Sequence, residues 1–484
     1  MSFLTPGWEL TVGLEVHCEL QTKTKLFCSC ANVFGEEPNT NVCPVCLGLP
    51  GSLPVLNRMA VEYAMRIGIA LNCRVEPSIF HRKNYFYPDM PKDYQVSQYD
   101  APINVDGFIE LPGGTRVGIE RAHLEEDTGK TSHMGGGGRI HDADYSLVDY
   151  NRAGVPLVEI VSRPDITSPE DARAYVSELR SILVASGASD GRMEEGSLRV
   201  DANVSMRRTG TSELGTRCEV KNMNSLRSLG RAIEYEALRQ VELLESGDRV
   251  VQETRHWNEN EGRTSSLRSK EEAFDYRYFP EPDLVALDPE AEWIEAVRKA
   301  LPQMPSARRA QLGAMVLSTD ASLDEHALSD QIATVVDLGL DQLVTASIAE
   351  GADGRLALAR CANEAATRPD EARALDPTAF CELILLESSG KISATQSKAV
   401  LGAMLDNSGT PAEIIARLGF EGVDEDRLGT IVDEIITANP KEWQRFVEGD
   451  EKVAQFLFGQ VMKQTKGQAN GKLVAQAFNA RKGS

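Results

Sequence analysis

The chain has 484 residues, with 51 Lys and Arg against 73 Asp and Glu, a formal net charge of −22. At roughly 100–200 residues per domain, the length predicts two to four domains, and a composition of 42% hydrophobic and 26% charged residues excludes wholesale disorder. Bulk charge of this sign excludes nucleic-acid binding by general phosphate neutralisation, so any such contact must use local basic patches.

No run of about 18 apolar residues exists, so no membrane span is expected. The opening segment lacks a charged leader followed by an apolar run, so no signal peptide is expected either. The expectation is a cytoplasmic protein with no membrane or DNA partner. Nine cysteines, an odd number in a large chain, argue against a disulfide framework. Cys18, Cys73, Cys218, Cys361 and Cys381 are scattered and read as buried small apolar residues.

In chain order, residues 12–20 alternate. Val12, Leu14, Val16 and Cys18 fall on one face of a strand, and Gly13, Glu15, His17 and Glu19 on the other. Two carboxylates and an imidazole at i, i+2 and i+4 converge on one side. Carboxylates that close together repel and need a cation, for which Mg2+ is suited; a solvated strand face is the other reading. Next comes C-x-C-x12-C-x2-C, formed by Cys28, Cys30, Cys43 and Cys46. Two close pairs at the ends of a loop suit tetrahedral zinc, and a full four-thiolate shell makes the metal structural. The alternative is four reduced thiols.

A helix is expected at about residues 55–71. The aromatic and basic segment RKNYFYPDMPK, residues 82–92, carries Lys83 and Lys92. It reads either as a packed anchor or as the polar wall of a passage. GIERAHLEEDTGK supplies Glu125, Glu126 and Asp127. Its Gly129-Lys130-Thr131 is not a P-loop: the first glycine position holds Leu124, and three acids precede the Gly-Lys. Residues 135–138, four glycines, read as a hairpin tip. Glu159 sits inside an apolar strand run, where an unpaired acid is costly. A helix is expected at 167–187, with Ser168 as N-cap and Pro169 in the first turn.

Residues 198–207 alternate again, placing Arg199, Asp201 and Asn203 on one face, and Glu219 and Lys221 follow in RCEVKNMNS. Separate strands that each contribute acids beside Arg or Lys fit a sheet whose open face holds divalent metal and phosphate. A helix is expected at 224–246. From about residue 289 the texture becomes Ala-rich and helix-periodic. The last 26 residues, 459–484, hold no acid and five bases, among them Lys463, Lys466 and Lys472. They read either as an RNA contact or as bases complementing a helix dipole.

The segments VGLEVHCEL, LGLPGSLPVLN, RKNYFYPDMPKDYQ, HLEEDTGK, DYNRAGVPLVEIVSRPDI, MEEGSLRVDANVS, EVKNMNS and DYRYFPEPDL, in order over about residues 10–285, resemble the B-subunit family of tRNA-dependent aspartyl/glutamyl amidotransferases. GQVMKQTKGQAN resembles the family's tail domain. A related archaeal protein carries a large inserted domain for which this chain has no room, so the resemblance is to the bacterial type. It implies an α+β fold: an antiparallel-sheet cradle similar to glutamine synthetase (1–290, with the zinc knuckle at 28–46), a helical domain (291–405) and a helical tRNA-binding tail (406–484).

The resemblance also implies a reaction. ATP phosphorylates the side-chain carboxyl of Glu on tRNA(Gln) or Asp on tRNA(Asn), and ammonia channelled from a separate amidase chain, the A component, displaces the phosphate. A small third chain, the C component, completes a heterotrimer. Glu15 and His17 match the family's Mg2+ ligands. Glu125 or Glu126, together with Glu159, match further metal-site or tunnel-mouth acids; Glu126 is placed in the metal set with Glu15, His17 and Glu159. Lys83 and Lys92 match the ammonia passage. Arg199, Asp201 and Lys221 are added from the strand faces as phosphate or metal contacts. Arg163 stands where the family often has an acid.

Overall fold

The computed structural model describes residues 6–135, 143–269, 276–407, 409–420, 425–465, 469 and 471–482. The chain forms two compact units, residues 1–304 and 305–484. The expected Gly hairpin tip lies, from residue 136 on, outside the described residues, as does Lys466.

The first unit is built on strands β1 (Trp8–Glu19), β2 (Arg74–Val75), β3 (Ile79–Asn84), β4 (Tyr94–Ala101), β5 (Asn104–Glu110), β6 (Arg116–Glu126), β7 (Lys130–Met134), β8 (Tyr145–Asp149), β9 (Pro156–Ser162), β10 (Leu198–Arg208), β11 (Cys218–Lys221), β12 (Glu253–Asn258), β13 (Arg263–Ser269) and β14 (Phe279–Pro280). One large sheet runs in the order β13-β12-β11-β10-β1-β9-β6-β4-β3-β14, with β5 on β6 and β2 on β5; β7 and β8 make a separate hairpin. Every pairing is antiparallel except β11 with β12. Because β7 begins at Lys130, the Gly-Lys-Thr enters a strand where a P-loop would open a helix.

Helices α1 (Arg58–Ala70), α2 (Pro169–Ala185) and α3 (Leu226–Glu245) serve one face of this sheet: α1 packs on β5 and β6, α3 on β10, and α2 on α3. Under them the alternating residues Val12, Leu14, Val16, Val158, Ile160, Val200, Ala202 and Val204 are buried. The charged alternates therefore face the opposite side. Ser168 caps α2 as expected, its hydroxyl accepting from the Asp171 amide at 3.0 Å. Helix α4 (Ala291–Ala300) belongs with this unit. It packs on α1, its Val297 joins the core, and the Arg58 guanidinium lies 4.8 Å from the Trp293 ring. Contact to α1 thus carries the unit past the textural change near residue 289.

The second unit is helical and holds two apolar clusters. One runs from Leu312 to Ile414 with Phe420 against it, and the other from Leu428 to Phe478. No single helix among the described residues is long and apolar enough to cross a membrane. One bent pair, His326–Asp337 with Asp341–Ala349, passes on length and composition, but its Leu328, Ile332, Val335, Val336, Leu343 and Val344 are buried in the first of these clusters. Among the described side chains at the end of the chain, two bases are used internally. Arg481 pairs with Asp433, and Lys482 lies 5.3 Å from the Phe446 ring. Lys463 is exposed on the helix Glu451–Gln464.

Candidate active site and metal centres

The four clustered cysteines converge. Sγ of Cys46 lies 3.6 Å from that of Cys28, 3.7 Å from Cys43 and 3.8 Å from Cys30. A tetrahedron with Zn–S bonds of about 2.3 Å has edges of roughly 3.8 Å, so the tetrad fits a structural zinc. All nine cysteines are free, and the five outside the tetrad are buried, as expected. Lys25, a completely buried side chain, points Nζ at Cys46 Sγ (3.5 Å) and donates to the Asn41 carbonyl (3.0 Å). Its charge offsets part of the net −2 that four thiolates and Zn2+ carry. We expect about one zinc per chain in protein purified without chelator, and its loss in Cys46→Ser; elemental analysis giving far less than one in the native chain contradicts the zinc assignment.

The second centre lies on the open face of the sheet. Register places His17 of β1 opposite both Arg199 of β10 and Glu159 of β9, and Glu159 opposite His123 of β6. His17 Nε2 is 3.6 Å from Glu125 Oε1 and 3.7 Å from Glu159 Oε2, and ligand atoms of the three residues all lie within 4.8 Å of one another. An octahedral ion with ligands at about 2.1 Å needs neighbours roughly 3–4 Å apart, so small shifts close this set on a divalent cation. The electrostatics agree. Burial, then Glu159, pushes Glu125 up to about 7. Burial works in the same direction on Glu159, but His123, His17 and Arg121 outweigh it and hold that group at about 2. Two carboxylates whose affinities for protons are forced apart mark a site short of positive charge.

Glu126, expected in the metal set, is directed elsewhere. Its carboxylate pairs with Lys92 and accepts the Val96 amide at 2.9 Å. Adjacent residues on a strand face opposite sides, so Glu125 enters the site and Glu126 joins Lys92. Glu15 is on the same face as His17 but outside the triad, where its Oε1 accepts from Asn203 Nδ2 at 2.8 Å. Lys221 Nζ lies 2.5 Å from Asp201 and 3.3 Å from Glu219. Burial opposes its charge, but the two carboxylates outweigh that and raise its pKa. Arg199 Nη2 meets Asp127 Oδ2 at 3.0 Å, and Arg152 Nε reaches the same oxygen at 3.2 Å. Lys83 Nζ lies 4.6 Å from the Tyr276 ring, and its charge lowers both Glu125 and Glu159. Arg163 pairs with Asp106 at 2.8 Å, away from these groups.

A cavity of about 940 Å³ opens beside this face, lined among others by Glu19, Lys130, Asp149, Arg152, Asp190 and Glu194. At its edge, burial and then Asp127 push Glu19 up to about 7. Arg152, His123 and Lys25 are site residues that sequence reasoning did not single out, and Asp127 was named only as one acid of a run, without its arginine partners. For Asp127 and His123, the signal was their place in the HLEED run; for Lys25, its place just before the first cysteine pair.

The sheet thus has one helix-covered face and one charged face, and comparison with known proteins identifies a catalytic domain over it. The family described as the GatB/GatE catalytic domain matches residues 10–295, and the GatB domain matches residues 344–481. The chain is 47% identical to the B subunit of the aspartyl/glutamyl-tRNA(Asn/Gln) amidotransferase of Thermobifida fusca, over 99% of this chain and 94% of that one. It is 48% identical to the protein of that name from Mycobacterium sp. (97% and 95% covered) and 47% to that of Caldanaerobacter subterraneus (97% and 98%). The chain belongs to the family of aspartyl/glutamyl-tRNA(Asn/Gln) amidotransferase B subunits.

Proposed function

We propose that this chain is the amide-forming component of a glutamine-dependent tRNA amidotransferase, a carbon–nitrogen ligase of translation. It converts Glu on tRNA(Gln) or Asp on tRNA(Asn) to the amide at the expense of ATP. The observation that carries the reading is the convergence of His17, Glu125 and Glu159 on the open face of a sheet in a member of this family. A carboxylate is a poor electrophile. Its oxygen attacks the γ-phosphorus of ATP, ADP leaves, and the acyl phosphate that forms offers a good leaving group. Ammonia then attacks the carbonyl carbon, phosphate departs and a proton is lost from nitrogen.

His17, Glu125 and Glu159 are the residues that would hold a divalent cation, with Glu15 in reserve beside them. When bound, Mg2+ neutralises charge on the transferring phosphoryl group. Arg199 and Lys221, held upright by Asp127 and Asp201, supply fixed positive charge along the phosphate path. The neighbouring cavity is of a size for the nucleotide.

Lys83, beside Glu125 and Glu159, and the buried Lys92–Glu126 pair are assigned to the passage that conducts ammonia from the amidase chain, with the small third chain completing the heterotrimer. The tail bases Lys463, Lys466 and Lys472 are assigned to tRNA, a local contact in a chain whose bulk charge is repulsive. The test is to reconstitute the chain with the amidase partner, misacylated tRNA, glutamine and Mg-ATP. Amide must appear on the tRNA and require ATP. A zinc-bearing scaffold that only presents tRNA predicts normal amide formation with no ATP cleavage in this chain's cradle.

A further inference from the structure

His123 is completely buried on β6, and neither ring nitrogen has a hydrogen-bond partner among the described residues. Such a group is unfavourable in a core: an imidazole sealed from water with both nitrogens unpaired loses its hydration and gains nothing in return. Its plane is fixed by the edge-on Tyr99 ring (centroids 6.3 Å apart, 83° between planes), which itself stacks on Tyr278 at 5.0 Å. The ring is thus locked while its polar atoms are idle. Nε2 points at Glu159 Oε2 from 3.8 Å, just beyond hydrogen-bond reach. The same oxygen has His17 Nε2 at 3.7 Å, and Arg121 Nη2 lies 3.8 Å from the other oxygen, Oε1. Glu159 is therefore ringed by donors, none of them close enough to bond.

From this geometry we propose that His123 is the positioning residue for Glu159. The ring donates Nε2–H to Oε2 once a divalent cation between His17, Glu125 and Glu159 draws the carboxylate into place. His123 is not part of the compact three-residue cluster itself, so it acts through Glu159. The inference rests on the metal reading above and deepens it. The idle nitrogens make the empty arrangement less favourable and the closed one more so, which raises affinity for the cation at the expense of the stability of the empty chain.

The experiment is a Mn2+ titration of the full-length, zinc-loaded chain, read by the loss of the free-ion spin-resonance signal, beside a thermal melt without added Mn2+. His123→Phe, which keeps a ring and removes the donor, is expected to weaken Mn2+ binding by about tenfold or more, while its melting midpoint is unchanged or higher. His123→Gln, which restores an N–H donor, is expected to recover most of the affinity. Mn2+ binding by His123→Phe equal to wild type overturns the proposal, and so does a lowered midpoint that tracks the lost affinity, because that assigns the ring a packing role only. His17→Ala separates the two layers. If it binds Mn2+ as the wild type does, the metal site is wrongly placed and both readings fall; if it loses Mn2+ while His123→Phe does not, only the role of His123 falls.

Discussion

Replacing His17 with alanine is expected to cut amidation of misacylated tRNA by at least about a hundredfold, while the amidase partner continues to hydrolyse glutamine. His17 is the hinge of the cluster. It reaches Glu125 at 3.6 Å and Glu159 at 3.7 Å, and it faces Arg199 across β10. Without the imidazole, the two acids keep their mutual repulsion but lose the third ligand that would fix a cation between them. The loss should appear in the chemical step and spare tRNA affinity, since the tail proposed to bind tRNA is untouched. The check is amide formed per minute on the tRNA against glutamate released from glutamine, measured on the same assembled enzyme. Amidation at the wild-type rate contradicts the placement of the site.

The second large effect concerns Lys92. Its side chain is 9% exposed, and its ammonium pairs with Glu126, which is 3% exposed. Gly48, at a positive φ of 62° in the zinc knuckle, packs so tightly on this lysine that an added Cβ would lie 2.5 Å from Lys92 Cγ. Lys92→Met leaves the Glu126 carboxylate buried with, among the described residues, the Val96 amide as its one remaining donor, at 2.9 Å. Breaking one side of a buried pair costs about 3–5 kcal/mol, whereas Lys92→Met with Glu126→Gln removes both charges and should recover much of that stability. Denaturant unfolding checks this, and a single variant as stable as wild type contradicts it. If the pair also lines the ammonia route, amidation fed by glutamine should fall further than amidation fed by ammonium salt.

Much of this was legible before the structure. The thiolate tetrad was written in its spacing, because close pairs across a loop constrain the chain whatever the fold. Alternation on β1 and β10 correctly turned Glu15, His17, Arg199 and Asp201 to one side, and Ser168 announced α2. The choice between Glu125 and Glu126 was not legible, for a physical reason. Along β6 the apolar residues Val117 and Ile119 are odd-numbered, but Ala122 and Leu124 are even-numbered. A bulge between Ile119 and Arg121 shifts the register against β9, so the period breaks just before the acids. Asp127 was missed as a partner of Arg199 because 72 residues separate them and only strand pairing brings them together. His123 looked like one more residue of an acidic run until its burial was visible.

The central claim, that this chain activates the amino-acid side chain by phosphorylating it, is tested most directly by oxygen transfer. Misacylated tRNA carrying heavy oxygen in the glutamyl or aspartyl side-chain carboxylate is converted by the assembled enzyme with glutamine and Mg-ATP, and the released phosphate is analysed by mass. The prediction is one labelled oxygen in phosphate for each amide formed. Amide formation with unlabelled phosphate would contradict the account.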